Sequence, residues 1–231
     1  MKILLIDTCG ATGSIALADG PAILDTASLP GRTASERLVL TIKDLATRTH
    51  TPLASLETIA VVHGPGSFTG VRVGLSAAKG LAEALNLPLV AISRLAVLAQ
   101  LAGRPAVTPI RALLDAGRNE FYSGLYLDGV RQREALLTRD ELLAAHRLDP
   151  SQRVVVCEPS LAESIAALNP QLLAEPTAAD ALPLALRRIQ HQQFDDPATL
   201  DANYLRRTDA EIFAKPTLGH VAMSTAETPA Q

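Results

Sequence analysis

The sequence predicts an α/β protein of two lobes, each a β-sheet with flanking helices. Three observations carry this: an opening run of apolar strands separated by turn residues, a strand-then-helix pattern after it, and a restart of that pattern after Gly103-Arg104-Pro105. With 231 residues, 48% of them hydrophobic, the chain can bury a substantial core.

The elements follow in order. Lys2 to Asp7, Ser14 to Ala18 and Ala22 to Ser28 alternate with the turn segments Gly10-Ala11-Thr12-Gly13 and Asp19-Gly20, which predicts a three-strand antiparallel meander. Thr33-Ala34-Ser35-Glu36 has capping-box spacing, and Leu38, Ile42, Leu45 and Ala46 repeat on one face. A helix of about four turns should therefore end before Thr51-Pro52. Ile59 to His63 is apolar and β-branched, as a buried strand would be. Gly64 to Gly80 then holds five glycines in seventeen residues, and Val71, Leu75, Ala78, Ala82 and Leu85 recur at helical spacing. Leu87 to Ile92 and Leu95 to Leu101 repeat strand then helix, closing a first lobe of residues 1–103.

The second lobe, residues 104–213, opens with a hairpin. Ile110 to Leu114 and Glu120 to Leu127 flank the acidic turn Asp115-Ala116-Gly117-Arg118, echoing the hairpin at Asp7. Thr138-Arg139-Asp140-Glu141 caps a helix to about His146, Arg153 to Cys157 is a short strand, and Ser160 to Leu168 and Ala181 to Gln192 have helical periodicity. Both halves are thus variants of one βββαβα plan. Residues 214–231 lack periodicity and are expected to form a mobile tail.

Composition excludes several functions. Net charge is −3 and the basic residues are dispersed, so no basic stripe marks a direct nucleic-acid footprint. Cys9 and Cys157 stand alone, which points to a reducing cytoplasm without a disulfide framework, and no apolar run reaches membrane-spanning length.

The residues permit five chemistries to different degrees. The glycine-rich loop suggests a phosphate cradle at a helix N-terminus, but Gly64, Gly66 and Gly70 make GxGxxxG, which fits neither the Walker A loop nor the dinucleotide fingerprint; a tight turn with close packing is the plainer reading. Ser67 and Ser76 are possible nucleophiles with His63 nearby, yet neither serine stands as GxSxG requires. The histidines at 50, 63, 146, 191 and 220 are unpaired at helical spacing, so no metal site is expected. Asp7, Thr8 and Thr12 in one hairpin and Asp115 in the other are candidate remnants of a nucleotide loop, although Asp and Gly also simply make turns. Finally, Leu38, Ile42 and Leu45 on one helix and Gly70, Val71, Gly74, Leu75, Ala77 and Ala78 on the next can face a partner, because small residues let another helix come close and the second helix has too many apolar positions for one buried face.

KILLIDTCGATGSIAL at the start, SERLVLTIKDL, GPGSFTGVRVGLSAAKGLA, LLDAGRNEFYSGLY and NYLRR together resemble the bacterial TsaB (YeaZ) family, in order from Met1 to about Glu211. The resemblance implies the two-lobed fold of actin, Hsp70 and the sugar kinases, with a mixed sheet in each lobe. It implies a role in forming N6-threonylcarbamoyladenosine in tRNAs that read ANN codons, as a non-catalytic scaffold that pairs with TsaD, the metal-bearing transferase, and is joined by the ATPase TsaE. No cofactor is then expected in this subunit; ATP and metal belong to the partners, tRNA is met only indirectly, and the chain pairs with itself when alone. Family members pair through the two helices that map onto Thr33 to Ala46 and Gly70 to Leu85, which makes the groove at Gly74 the expected surface. The alternative is an enzyme of the same fold, an ATP-dependent kinase or a glycoprotease-like peptidase. Two departures stand out: Ala34-Ser35-Glu36 where many members have His-Ser-Glu, and Cys157-Glu158 where many have a glycine.

Overall fold

A computed structural model describes residues 1–30, 34–103 and 107–206. The expected tail at 214–231, Thr33 of the first capping box, and Arg104-Pro105 of the breaker lie outside the described residues. The first lobe holds β1 (Lys2–Asp7), β2 (Thr12–Asp19), β3 (Ala22–Pro30), α1 (Ala34–Arg48), β4 (Thr58–Val62), α2 (Phe68–Leu85), β5 (Leu89–Ile92) and α3 (Arg94–Leu101). After it come β6 (Ile110–Gly117), β7 (Glu120–Leu127), β8 (Val130–Thr138), α4 (Arg139–Leu148), β9 (Arg153–Val156), α5 (Pro159–Ser164), β10 (Gln171–Leu172) and α6 (Leu182–Gln190).

The two sheets have one topology. The first runs β3-β2-β1-β4-β5 and the second β8-β7-β6-β9-β10; in each the opening three strands are antiparallel and the later two join in parallel, giving a mixed sheet in each lobe. β8 is the third opening strand that the shared βββαβα plan calls for but to which the sequence assigns no residues, and β10 is an addition to that plan. β8 follows an Asp128-Gly129 turn with both residues at positive φ, but its polar stretch Arg131-Gln132-Arg133-Glu134 hides the alternation of a strand.

Periodicity explains the packing. α1 buries Ala34, Leu38, Ile42, Leu45 and Ala46, and α2 buries Val71, Gly74, Leu75, Ala78 and Ala82, both against the first sheet. α2 starts where the Ser67 hydroxyl accepts from Gly70 N–H, and stops at Asn86 in the left-handed region. α4 carries the reciprocal capping box of Thr138 and Glu141 that the sequence spells. In the second sheet residue parity sorts the faces: Ala112, Leu114 and Val155 pack with α3, whereas Leu113, Val154 and Val156 pack with α4 and α5.

The helices at the lobe junction cross over. α3 ends the first half of the chain but lays Leu95, Leu98 and Ala99 on the second sheet, with Val97 reaching the first core. α6 ends the second half but buries Leu182 and Ala185 in the first core, beside β5. Residues buried on all sides of α3 follow from its place between two sheets.

Candidate functional site

The cleft between the lobes is built on the β1–β2 turn. Asp7 closes β1 at 2% exposure, and its Oδ1 accepts from the Cys9 N–H at 2.8 Å, which holds the turn. Its other oxygen has no hydrogen bond and stands 3.9 Å from Nε of Arg94, a residue itself only 4% exposed. Arg94 goes on to Glu175 at 2.9 Å, and Glu175 also accepts from the Ala11 N–H at 3.2 Å. Burial pushes the Asp7 carboxyl above its ordinary value, and the Arg94 guanidinium restrains the rise. Sequence reasoning missed Arg94 and Glu175; the available signal was one cation inside the apolar run from Leu89 to Leu101.

Above this chain of charges lies a cleft of about 530 Å³, lined among others by Thr8, Gly66, Ser67, Gly70, Asp115 and Glu158. Of the four nucleotide-loop candidates, Thr8 and Asp115 reach it. Asp7 is buried beneath the turn, and Thr12 is exposed at the start of β2. Asp115 accepts from Gly117 N–H at 2.7 Å, as in an ordinary acidic turn.

A nucleotide with its metal does not fit these residues. The carboxylate that would face a cation faces Arg94 instead, and a Cβ at Gly10 would strike Glu175 and Arg94, which shows how filled that end is. The lining holds no lysine or arginine among the described residues, while Asp115 and Glu158 add two carboxylates to it, a poor match to phosphate. Burial, foremost, raises the Glu158 pKa, and its Oε2 has no hydrogen-bond partner. The α2 N-terminus already spends the Gly70 N–H on Ser67.

The glycine stripe has an occupant within the chain. Thr8 Oγ1 donates to the Gly70 carbonyl at 2.6 Å; a Cβ on Gly70 would overlap the Thr8 carbonyl oxygen, and one on Gly74 would overlap the Thr8 hydroxyl. The close approach expected for a partner's helix at Gly74 is thus made by the β1–β2 turn. Leu38, Ile42, Leu45, Val71, Leu75 and Ala78 lie in the core of the first lobe, and Ala77 is half-buried beside it. The outward residues are their neighbours on α1, Val39 at 50% and Leu40 at 60% exposure, while Val73 and Ala77 of α2 are half-buried against the core. α1 and α2 touch each other, so these positions lie on adjoining helices.

The structure does not unite His63 with Ser67. His63 Nδ1 meets the Asp201 carbonyl at 3.2 Å and lines a second cavity, while Ser67 caps α2 in the cleft and Ser76 is exposed on the helix. Burial lowers the His63 pKa and favours the neutral ring.

A family model described as TsaD, tRNA N6-adenosine threonylcarbamoyltransferase, matches residues 28–157, more than half of the chain. The tRNA threonylcarbamoyladenosine biosynthesis protein TsaB of Escherichia coli is 36% identical over 127 residues, and that of Bacillus subtilis 37% identical over 127 residues. Each match covers 54% of this chain and 55% of the relative, so the chain spans about half the length of the curated relatives it matches. A crystal structure of a Pseudomonas aeruginosa protein described as similar to peptidase YeaZ superposes with a TM-score of 0.74 at 27% identity, covering 89% of this chain and 99% of that one.

Proposed function

The chain belongs to the family of TsaD, tRNA N6-adenosine threonylcarbamoyltransferase, and within it to the TsaB (YeaZ) group, and from that premise we propose that it is a non-catalytic scaffold for N6-threonylcarbamoyladenosine formation in tRNAs reading ANN codons. It acts by docking a TsaD-type transferase, with the TsaE ATPase joining the pair, and it carries no cofactor of its own. tRNA is reached through the partner.

The observation that carries this reading is the unfilled outer face of the first lobe. Val39 and Leu40 stand at 50% and 60% exposure on a helix whose inner stripe is fully used, and α2, with half-buried Val73 and Ala77, adjoins that helix. A helical partner laid along α1 and α2 would cover it, and two copies of this chain cover it mutually when the transferase is absent. The Asp7–Arg94–Glu175 arrangement supports the same reading, because it devotes the carboxylate at the end of β1 to an internal ion pair.

The test replaces one outward residue. Leu40→Asp should leave stability within about 0.5 kcal/mol of the parent, because the side chain is exposed, yet weaken binding to the TsaD of the same organism by about 10-fold or more. Modification of tRNA in the reconstituted system should fall in step. Unchanged affinity and unchanged modification would remove this face from the proposal. Gly74→Leu is unsuited to the purpose, since its side chain would collide with Thr8 inside the same molecule.

A further inference from the structure

A second cavity, of about 620 Å³, lies at the lobe junction and shares no lining residue with the Thr8 cleft. Its size is that of a small-molecule site. The end of β4 contributes His63; β5 and the start of α3 contribute Ala91 to Ser93 and Ala96; the β7–β8 hairpin contributes Tyr126, Gly129, Val130, Arg131 and Glu134; α6 and the segment after it contribute the rest.

Three arginines, Arg131, Arg187 and Arg188, meet two carboxylates there, and both carboxylates are already occupied. Glu134 accepts from the Tyr126 hydroxyl and from Asn203 Nδ2 at 2.8 Å. Asp195 accepts from Arg188 at 2.8 Å and from the Ala91 N–H at 2.7 Å. Arg131 and Arg187 are exposed, and the guanidinium of neither is hydrogen-bonded or ion-paired to another described residue. His191 Nδ1 meets the Arg187 carbonyl at 2.7 Å; since a carbonyl only accepts, that nitrogen carries the proton and Nε2 is left open, as it is on His63. Ser93 is 8% exposed, and its buried hydroxyl makes no hydrogen bond of good geometry among the described residues, beside a Tyr126 phenol committed to Glu134. Apolar wall is supplied by Ile92, Ala96, Val130 and Leu184.

We propose that this cavity binds a small phosphate-bearing ligand, its phosphate held by Arg131 and Arg187 and its organic part lying on the apolar wall toward Ser93. Two unpaired guanidiniums on different elements suit an oxyanion with several acceptor oxygens, and the occupied carboxylates leave that charge uncompensated. Both lobes line the cavity, so a bound ligand bridges them. The inference is independent of transferase docking, which uses other residues.

Calorimetry on the full chain at low salt provides the test, with AMP, ribose 5-phosphate and inorganic phosphate as probes and adenosine as the phosphate-free control. AMP or ribose 5-phosphate should bind saturably and adenosine should not. Arg131→Glu with Arg187→Glu should weaken binding about 10-fold or more, because two charge-assisted contacts are lost, while the fold is kept because neither side chain has a partner to lose. Thr8→Val in the other cleft should leave the affinity unchanged. The proposal is overturned if neither organic phosphate binds, if inorganic phosphate binds as tightly as they do, if charge reversal has no effect, or if Thr8→Val abolishes binding. Binding of a single-stranded RNA oligonucleotide without binding of AMP would also overturn it, in favour of an RNA surface.

Discussion

The two lobes repeat one strand order, β3-β2-β1-β4-β5 and β8-β7-β6-β9-β10, yet treat the hairpin at its centre in opposite ways. In the first lobe the turn after β1 is buried, with Asp7 at 2% and Thr8 at 3% exposure, and an 18-residue helix grips it through glycines. In the second the end of β6 is exposed at Asp115, and the helix after β9 has only 6 residues. The comparison teaches that a shared topology does not oblige a shared site. One copy has turned its loop into a packed joint, and the other has kept a loose acidic turn.

The strongest way to break the difference is to deny the joint its close approach. Gly70→Ala places a Cβ against the Thr8 carbonyl, a backbone atom that cannot swing away, and should cost about 2–4 kcal/mol in urea unfolding. Gly117→Ala, in the corresponding turn of the second lobe, meets no atom within 4 Å and should cost less, through its positive φ alone.

Next in size is the hydrogen bond across the joint. Thr8→Val removes the donor to the Gly70 carbonyl at 2.6 Å and should destabilise by about 1–2 kcal/mol, whereas Asp115→Ala, which frees only an exposed Gly117 N–H, should stay within about 0.5 kcal/mol. Equal losses at the two turns would erase the distinction.

Gly80→Ala sharpens the contrast within α2 itself. Nothing lies within 4 Å of the added methyl, so helix propensity alone acts, and thermal unfolding should show a gain of about 0.5–1 kcal/mol. A loss would mean that the helix is tightly packed all round.

The smallest expected effect lies at Glu158, and it depends on pH. Its folded pKa is raised above the ordinary value of 4.5, chiefly by burial, so ionising it opposes folding: stability is full below 4.5 and falls as pH rises through the folded value. Glu158→Gln should therefore be more stable than the parent at pH 7.5, with the advantage gone near pH 4. An advantage of the same size at both pH values would show that charge is not its cause.

Much of the fold is legible in the chain because periodicity is local. The meander, the inner stripes of α1 and α2, and the Thr138–Glu141 capping box are all spelled by residues close in sequence. β8 escaped because exposed Arg131, Gln132 and Arg133 mask its alternation, and β10 because it has 2 residues.

What the sequence determined by itself was that α1 and α2 have buried faces, that small residues punctuate α2, and that one plan is used twice. Tertiary structure decided what fills those features. A glycine pattern states that something comes close, but Thr8 stands 62 residues from Gly70, and only the folded sheet brings them together. Likewise α3 packs on the sheet that follows it, and His63 and Ser67, four positions apart along the chain, open into separate cavities. Spacing specifies which side of an element is covered; the covering partner is chosen by contacts distant in sequence, which local pattern does not encode.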